Sequence, residues 1–177
     1  MPRRNRNSPN ATGRSSKNKI KGRFVAIPFS VMKSPAYRSL TPTARALLFE
    51  IAMLENSENN GQLYLSVRDA RDRLGLGDTK AVTKAFDELL MAHLIVITKE
   101  AQFVRLAPDI SKARSFALTW RRILGKSGAS DAYLGYAPAP KKAASLRAQR
   151  GLAAINRFER RWGDMMSMLG NFPTNRP

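Results

Sequence analysis

The stretch "SVRDARDRLGLGDTKAVTKAFDELL", Ser66 to Leu90, decides the fold. Val67, Ala70 and Leu74 recur at three and four residues, so they share one face of a short helix. Gly75 and Gly77 interrupt that period. Val82, Ala85, Phe86, Leu89 and Leu90 then form the inward stripe of a second, longer helix. A step of about 100° per residue puts Lys80, Lys84, Asp87 and Met91 opposite the stripe, with Thr83 at its edge. The stretch is therefore a helical hairpin whose second helix presents Lys and Thr outward. Such side chains can bond phosphates or base edges, and the helix N-terminus adds backbone donors and partial positive charge. Asp87 can accept from a cytosine amino group, although phosphate repels it.

Working upstream, "LTPTARALLFEIAMLE" is the clearest helix, with Thr41 as N-cap and Pro42 at the first helical position. Its apolar stripe is Ala44, Leu47, Leu48, Ile51 and Leu54. Before it, "RFVAIPFSVMKSPAYRSL" predicts an extended entry segment and one short irregular helix, capped by Ser30 and limited by Pro35. "NSENNGQ" has turn chemistry, with Gly61 suited to positive φ, and "LYLS" is a short strand. Downstream, "LIVITKE", "QFVRLAP" and "RSFALTW" predict strands, with a tight turn near Glu100–Ala101. The third of these either joins the sheet or packs beside it. The order is helix, short strand, helix, helix, strand, strand.

The stretch through "MAHLIVI" resembles the winged helix-turn-helix pattern. In that pattern Ser opens the first helix, Ala lets the helices pack, Leu-Gly makes the turn, and the recognition helix runs into an apolar strand of the wing. The wider stretch "RFVAIPFSVMKSPAYRSLTPTARALLFEIAML" with "NNGQLYLSVRDA" is similar to small winged-helix proteins of bacterial plasmids, phages and integrated elements, which are replication-associated or regulatory. The resemblance covers Phe24 to Trp120. The chain departs from the pattern in three places. Arg71 stands where a second small residue is common, "GLGDT" is one residue longer than the usual turn, and His93 stands where such helices usually end in Gly. A residue ending a helix there needs positive φ, which gives the lone histidine a structural role.

The resemblance implies an α+β, mainly α fold. We expect a disordered basic arm at 1–23, a winged helix-turn-helix domain at 24–122 and a linker at 123–142. A helical extension at 143–170 and a disordered tail at 171–177 complete the expected organisation. It also implies a recognition helix reading double-stranded DNA through Thr79, Lys80, Thr83, Lys84 and Asp87. Ser66, Arg68 and Arg71 would hold phosphate, and Lys99, Gln102 and Arg105 would do so from the wing.

The net charge of +18 is unevenly spread. Residues 1–23 hold eight Lys or Arg and no acid, whereas residues 24–110 hold ten of each sign. Basic flanks bind polyanions through counterion release, whatever the base sequence. The arm residues Arg3, Arg4, Arg6, Arg14, Lys17, Lys19, Lys21 and Arg23, with Arg157, Arg160 and Arg161 near the other end, are the expected phosphate grip. In the extension, Ile155, Phe158, Trp162, Met165 and Leu169 repeat at three and four residues. That spacing makes a short seam which packs on the domain, pairs two copies, or lies as a basic amphipathic helix on DNA or a membrane. Gly151 is a candidate break in this helix.

Several functions are set aside. The chain has no cysteine, so disulfides and thiolate metal sites are excluded. One histidine excludes the paired-His metal site of rolling-circle nickases. "LGKSG" at Leu124–Gly128 lacks the earlier glycine of a phosphate loop, where Trp120 stands. Asp69 and Asp72 sit among Arg68, Arg71 and Arg73, as in a solvated salt-bridge face. No nucleophile–base pair is visible, and no apolar run reaches the roughly 18 residues of a membrane span. The expectation is a cytoplasmic, nucleoid-associated protein that is not an enzyme, with no cofactor, no metal and no membrane. It would bind sequence-specific DNA in plasmid or phage replication initiation or transcription regulation. Its candidate partners are a second copy and a host replication or transcription protein. The alternative is a protein-interaction winged helix whose basic tails bind nucleic acid non-specifically, as an RNA-binding or packaging factor does.

Overall fold

The computed structural model describes residues 22–101, 114–140 and 142–169. They form an α+β, mainly helical fold. Its elements are α1 (Phe29–Met32), α2 (Pro35–Ser39), α3 (Pro42–Met53), β1 (Leu63–Tyr64), α4 (Val67–Arg73) and α5 (Thr79–Met91). There follow β2 (Ile95–Lys99), β3 (Ser115–Leu118), a 3₁₀ turn (Ala132–Gly135) and α6 (Ala143–Leu169). The basic residues Arg3 to Lys21 lie outside the described residues.

Local chemistry sets the helix starts. Thr41 caps α3 by accepting from the Ala44 N–H at 3.3 Å, and Pro42 occupies the first turn. Ala44, Leu47, Leu48 and Ile51 are buried as the periodicity predicts. The entry region departs from expectation. It makes two helices rather than one, because Pro35 begins α2 instead of merely ending α1. Ser34, not Ser30, is the cap, accepting from the Tyr37 N–H at 3.2 Å. Pro at the first turn loses nothing, since that N–H has no helical partner.

The strands form one antiparallel sheet in the order β1–β3–β2. Ser115–Leu118, predicted as an optional extra strand, is its centre. Phe116 stacks on Phe86 of α5, ring centroids 5.3 Å apart, and so locks the sheet to that helix. The tight turn expected near Glu100–Ala101 borders residues 102–113, which lie outside the described residues and include the whole of the expected strand "QFVRLAP". β2 carries a bulge between Ile97 and Lys99, where the Thr98 hydroxyl donates to the Gly61 carbonyl at 2.6 Å.

Asn60 closes the other end of the sheet. Its side-chain amide is buried and donates to the carbonyls of Leu118, Arg121 and Arg122. Its side-chain oxygen accepts from the Leu118 N–H at 2.7 Å. The segment 123–142, expected as a linker, is not free of the core. Ile123 and Tyr133 are buried, and the Tyr136 ring meets His93 edge-on. The reason is apolar area: two tyrosines and an isoleucine placed on a short connection gain more from burial than from solvation.

α6 runs unbroken through Gly151, contrary to the expected break. A Cβ at Gly151 would stand 3.0 Å from the Arg38 Cδ, so the glycine provides room for α2 rather than ending the helix. The first turns of α6 dock on α2 through buried Ser145 and Ala148. No helix among the described residues is long and apolar enough to cross a membrane.

Candidate nucleic-acid interface

The hairpin of α4 and α5 is built from three local devices. Ser66 caps α4, accepting from the Asp69 N–H at 3.0 Å while its hydroxyl donates to the Asp69 carboxylate at 2.7 Å. Both hydrogen-bonding roles of Ser66 are thus engaged inside the helix. The C-terminus of α4 closes on Gly75 at φ +64°, with Leu76 N–H donating to Arg71 O and Gly75 N–H to Asp72 O. This double bond pattern needs a left-handed residue, which Gly supplies without steric cost. Asp78 then caps α5, accepting from the Lys80 N–H at 2.9 Å. The long "GLGDT" turn therefore resolves into a left-handed glycine stop and an Asp start, and α5 begins at Thr79.

That start fixes the outward face. Val82, Ala85, Phe86 and Leu89 are buried, with Leu90 half-buried. Lys80, Thr83, Lys84, Asp87 and Met91 are exposed, and Thr79 is half-buried. The hydroxyl of Thr83 donates back to the Thr79 carbonyl at 3.1 Å, leaving its oxygen to accept. The helix ends at His93, whose φ of +53° matches the left-handed conformation expected of it. Leu94 N–H donates to Leu89 O and His93 N–H to Leu90 O, the same double closure that ends α4.

The cations around this face differ in their engagement. Arg71 pairs with Asp72 at 2.6 Å and Arg73 with Glu50 at 3.5 Å. Lys80, Lys84 and Arg68 form no ion pair among the described residues. These three are the cations of the hairpin that no carboxylate neutralises among the described residues. Asp69 and Asp72 are committed to Ser66 and Arg71, as a solvated polar face requires. At the start of the β2–β3 connection Lys99 is exposed, and Arg114 pairs with Glu100 at 3.1 Å. Gln102 and Arg105 lie outside the described residues.

Of the expected phosphate grip, Arg23 donates to the Glu55 carbonyl at 3.2 Å. Arg157, Arg160 and Arg161 are exposed on the second half of α6. Phe158, Trp162 and Met165 are also exposed there, with Phe158 64% and Trp162 51% accessible and their rings stacked at 6.1 Å. Ile155 is half-buried, and the side chain of Leu169 lies outside the described residues. The apolar seam is thus uncovered beyond the point where α6 leaves α2.

Two residues that orient the hairpin escaped the sequence reading. Glu88, in the third turn of α5, accepts from both the N–H and the hydroxyl of Thr41, at 2.9 and 2.8 Å, tying α5 to the start of α3. Asp78 carried a usable signal, an Asp just before an apolar-periodic segment. Glu88 carried none, because its partner lies 47 residues away. Comparison with protein-family models, with curated proteins and with solved structures found no match.

Proposed function

We propose that the chain is a winged helix-turn-helix protein that binds double-stranded DNA with sequence preference, with α5 as its recognition helix. The observation that carries this reading is the outward face of α5. Lys80 and Lys84, without an ion pair among the described residues, flank Thr83 on a helix held from behind by the Phe86–Phe116 stack and the Glu88–Thr41 bonds. A helix held this rigidly can place two or three side chains at base edges, while phosphate contacts set its register. The helix and strand order, and the sheet order β1–β3–β2, support the winged form. The excess charge of the N-terminal arm supplies sequence-independent affinity. Such a protein serves replication initiation or transcription regulation of a plasmid or phage, acting beside a host replication or transcription protein.

Selection of bound duplexes from random genomic fragments by the full chain tests the reading, and enrichment of one short motif is the expected result. Uniform salt-dependent capture without a motif would support a second reading, a protein-interaction domain with non-specific basic tails. The balanced charge of residues 24–110 favours that second reading.

The uncovered seam of α6 suits a second copy of the chain, because two-fold pairing would bury Phe158, Trp162 and Met165 and leave Arg157 and Arg160 outside. Trp162→Glu is expected to halve the mass seen in sedimentation. An unchanged mass would remove the seam as a dimer contact.

A further inference from the structure

Three arginines from three helices gather at α2: Arg38 and Arg45 lie over the Tyr37 ring, and Arg147 reaches the last residue of α2. The Arg38 and Arg45 guanidinium carbons lie 5.5 and 5.2 Å from the Tyr37 ring centroid. Arg45, from the first turn of α3, donates to the Arg38 carbonyl at 3.0 Å. Arg147, from α6, donates to the Ser39 carbonyl at 2.8 Å, and Arg38 donates to the Met32 carbonyl at 2.7 Å. All three are half-buried. None pairs with a carboxylate among the described residues. The Arg45 Nε is fully buried without a hydrogen-bond partner. Burial lowers the Arg45 pKa; Tyr37 opposes this, while Arg38 and Arg147 add to it.

Holding up backbone carbonyls explains one N–H of each arginine. A neutral amide would do as much without the repulsion. It leaves unexplained why three permanent charges are gathered with no acid among them. Each guanidinium has five donors in a planar fork, the geometry that grips phosphate oxygens in pairs. Gly151 contributes by admitting the Arg38 stem beneath α6, so the cluster exists only when α6 is docked.

We propose that Arg38, Arg45 and Arg147 form an anion site that binds a phosphate group. The site is separate from the recognition face. It adjoins the start of α3, which Glu88 ties to the third turn of α5, on the order of 12 Å along the helix from Lys80. It does not depend on the DNA-binding reading, since it stands on its own side chains. The phosphate belongs either to a nucleic-acid backbone or to a small phosphorylated molecule, and the same chemistry recognises both.

The test uses the full chain and inorganic phosphate, with chloride at matched ionic strength. Phosphate is expected to raise the unfolding temperature in a saturable way and to broaden its own ³¹P resonance. Arg147→Gln is expected to weaken the apparent affinity about ten-fold or more, while Arg150→Gln, exposed on the same helix, leaves it unchanged. If Arg147→Gln also lowers the slope of log affinity against log salt for DNA by about one, the natural phosphate is a nucleic-acid one. An unchanged slope with lost phosphate binding assigns the site to a small phosphorylated molecule. Should Arg147→Gln not fold, Arg38→Lys keeps the charge without the fork and is expected to show the same loss. Equal stabilisation by phosphate and chloride, or the same phosphate affinity in wild type and both arginine variants, would overturn the site.

Discussion

Lys80→Glu combined with Lys84→Glu is expected to weaken binding to the selected DNA site by about 100-fold or more, without unfolding the protein. Each lysine stands on the exposed face of α5 with no ion pair among the described residues, so each is available to a phosphate or a base. Reversal removes two attractions and adds two repulsions in a face already bearing Asp87. The fold has little stake in either side chain. Exposed substitutions usually change stability by about 0.5 kcal/mol or less, and an acid in the first turn suits the helix dipole. Titration of wild type and variant against the same duplex measures the loss, and thermal unfolding checks the fold. Near-equal affinities would mean that α5 does not face DNA.

Asn60→Ala is expected to cost about 3 kcal/mol, a fall of roughly 10 °C in the unfolding temperature. The side chain makes two buried bonds, with the Leu118 N–H and carbonyl, and shares its two amide hydrogens with the part-buried Arg121 and Arg122 carbonyls, so its loss leaves groups at the end of β3 without partners. Water cannot readily replace it, because Asn60 is 2% exposed. Asn60→Asp is expected to be worse, since a carboxylate would face three carbonyl oxygens. The damage reaches the outward face of α5 through the sheet, because β3 carries Phe116, which stacks on Phe86 of α5. A drop below about 1 kcal/mol in chemical denaturation would show that this hub does not hold the sheet.

What the sequence displayed was local. Thr41 and Pro42, Ser66 at the start of α4, and the stripes of α3 and α5 each express themselves within a few residues, and the structure has them as expected. His93 was legible for the same reason, because a helix terminus demands one backbone conformation. What the sequence hid depends on partners far along the chain. Asn60 meets residues about sixty positions on, Glu88 meets Thr41, and Arg147 meets the end of α2. Pro35 misled because proline both stops and starts helices, and only the Ser34 cap separates the two roles. The second half of α6 was legible as an amphipathic stripe, but periodicity does not reveal how far the domain extends beneath it.

The folded core, not the basic arm, is expected to choose the DNA. The direct measurement compares two chains in the same genomic-fragment selection at two salt concentrations: the full protein, and a chain beginning at Gly22. The second chain keeps residues 123–169, because Ile123, Tyr133 and Ala148 belong to the buried set. Both are expected to enrich the same motif, with the shorter chain binding more weakly and with a shallower salt dependence. A shorter chain that enriches no motif, while the full chain still does, would contradict that expectation.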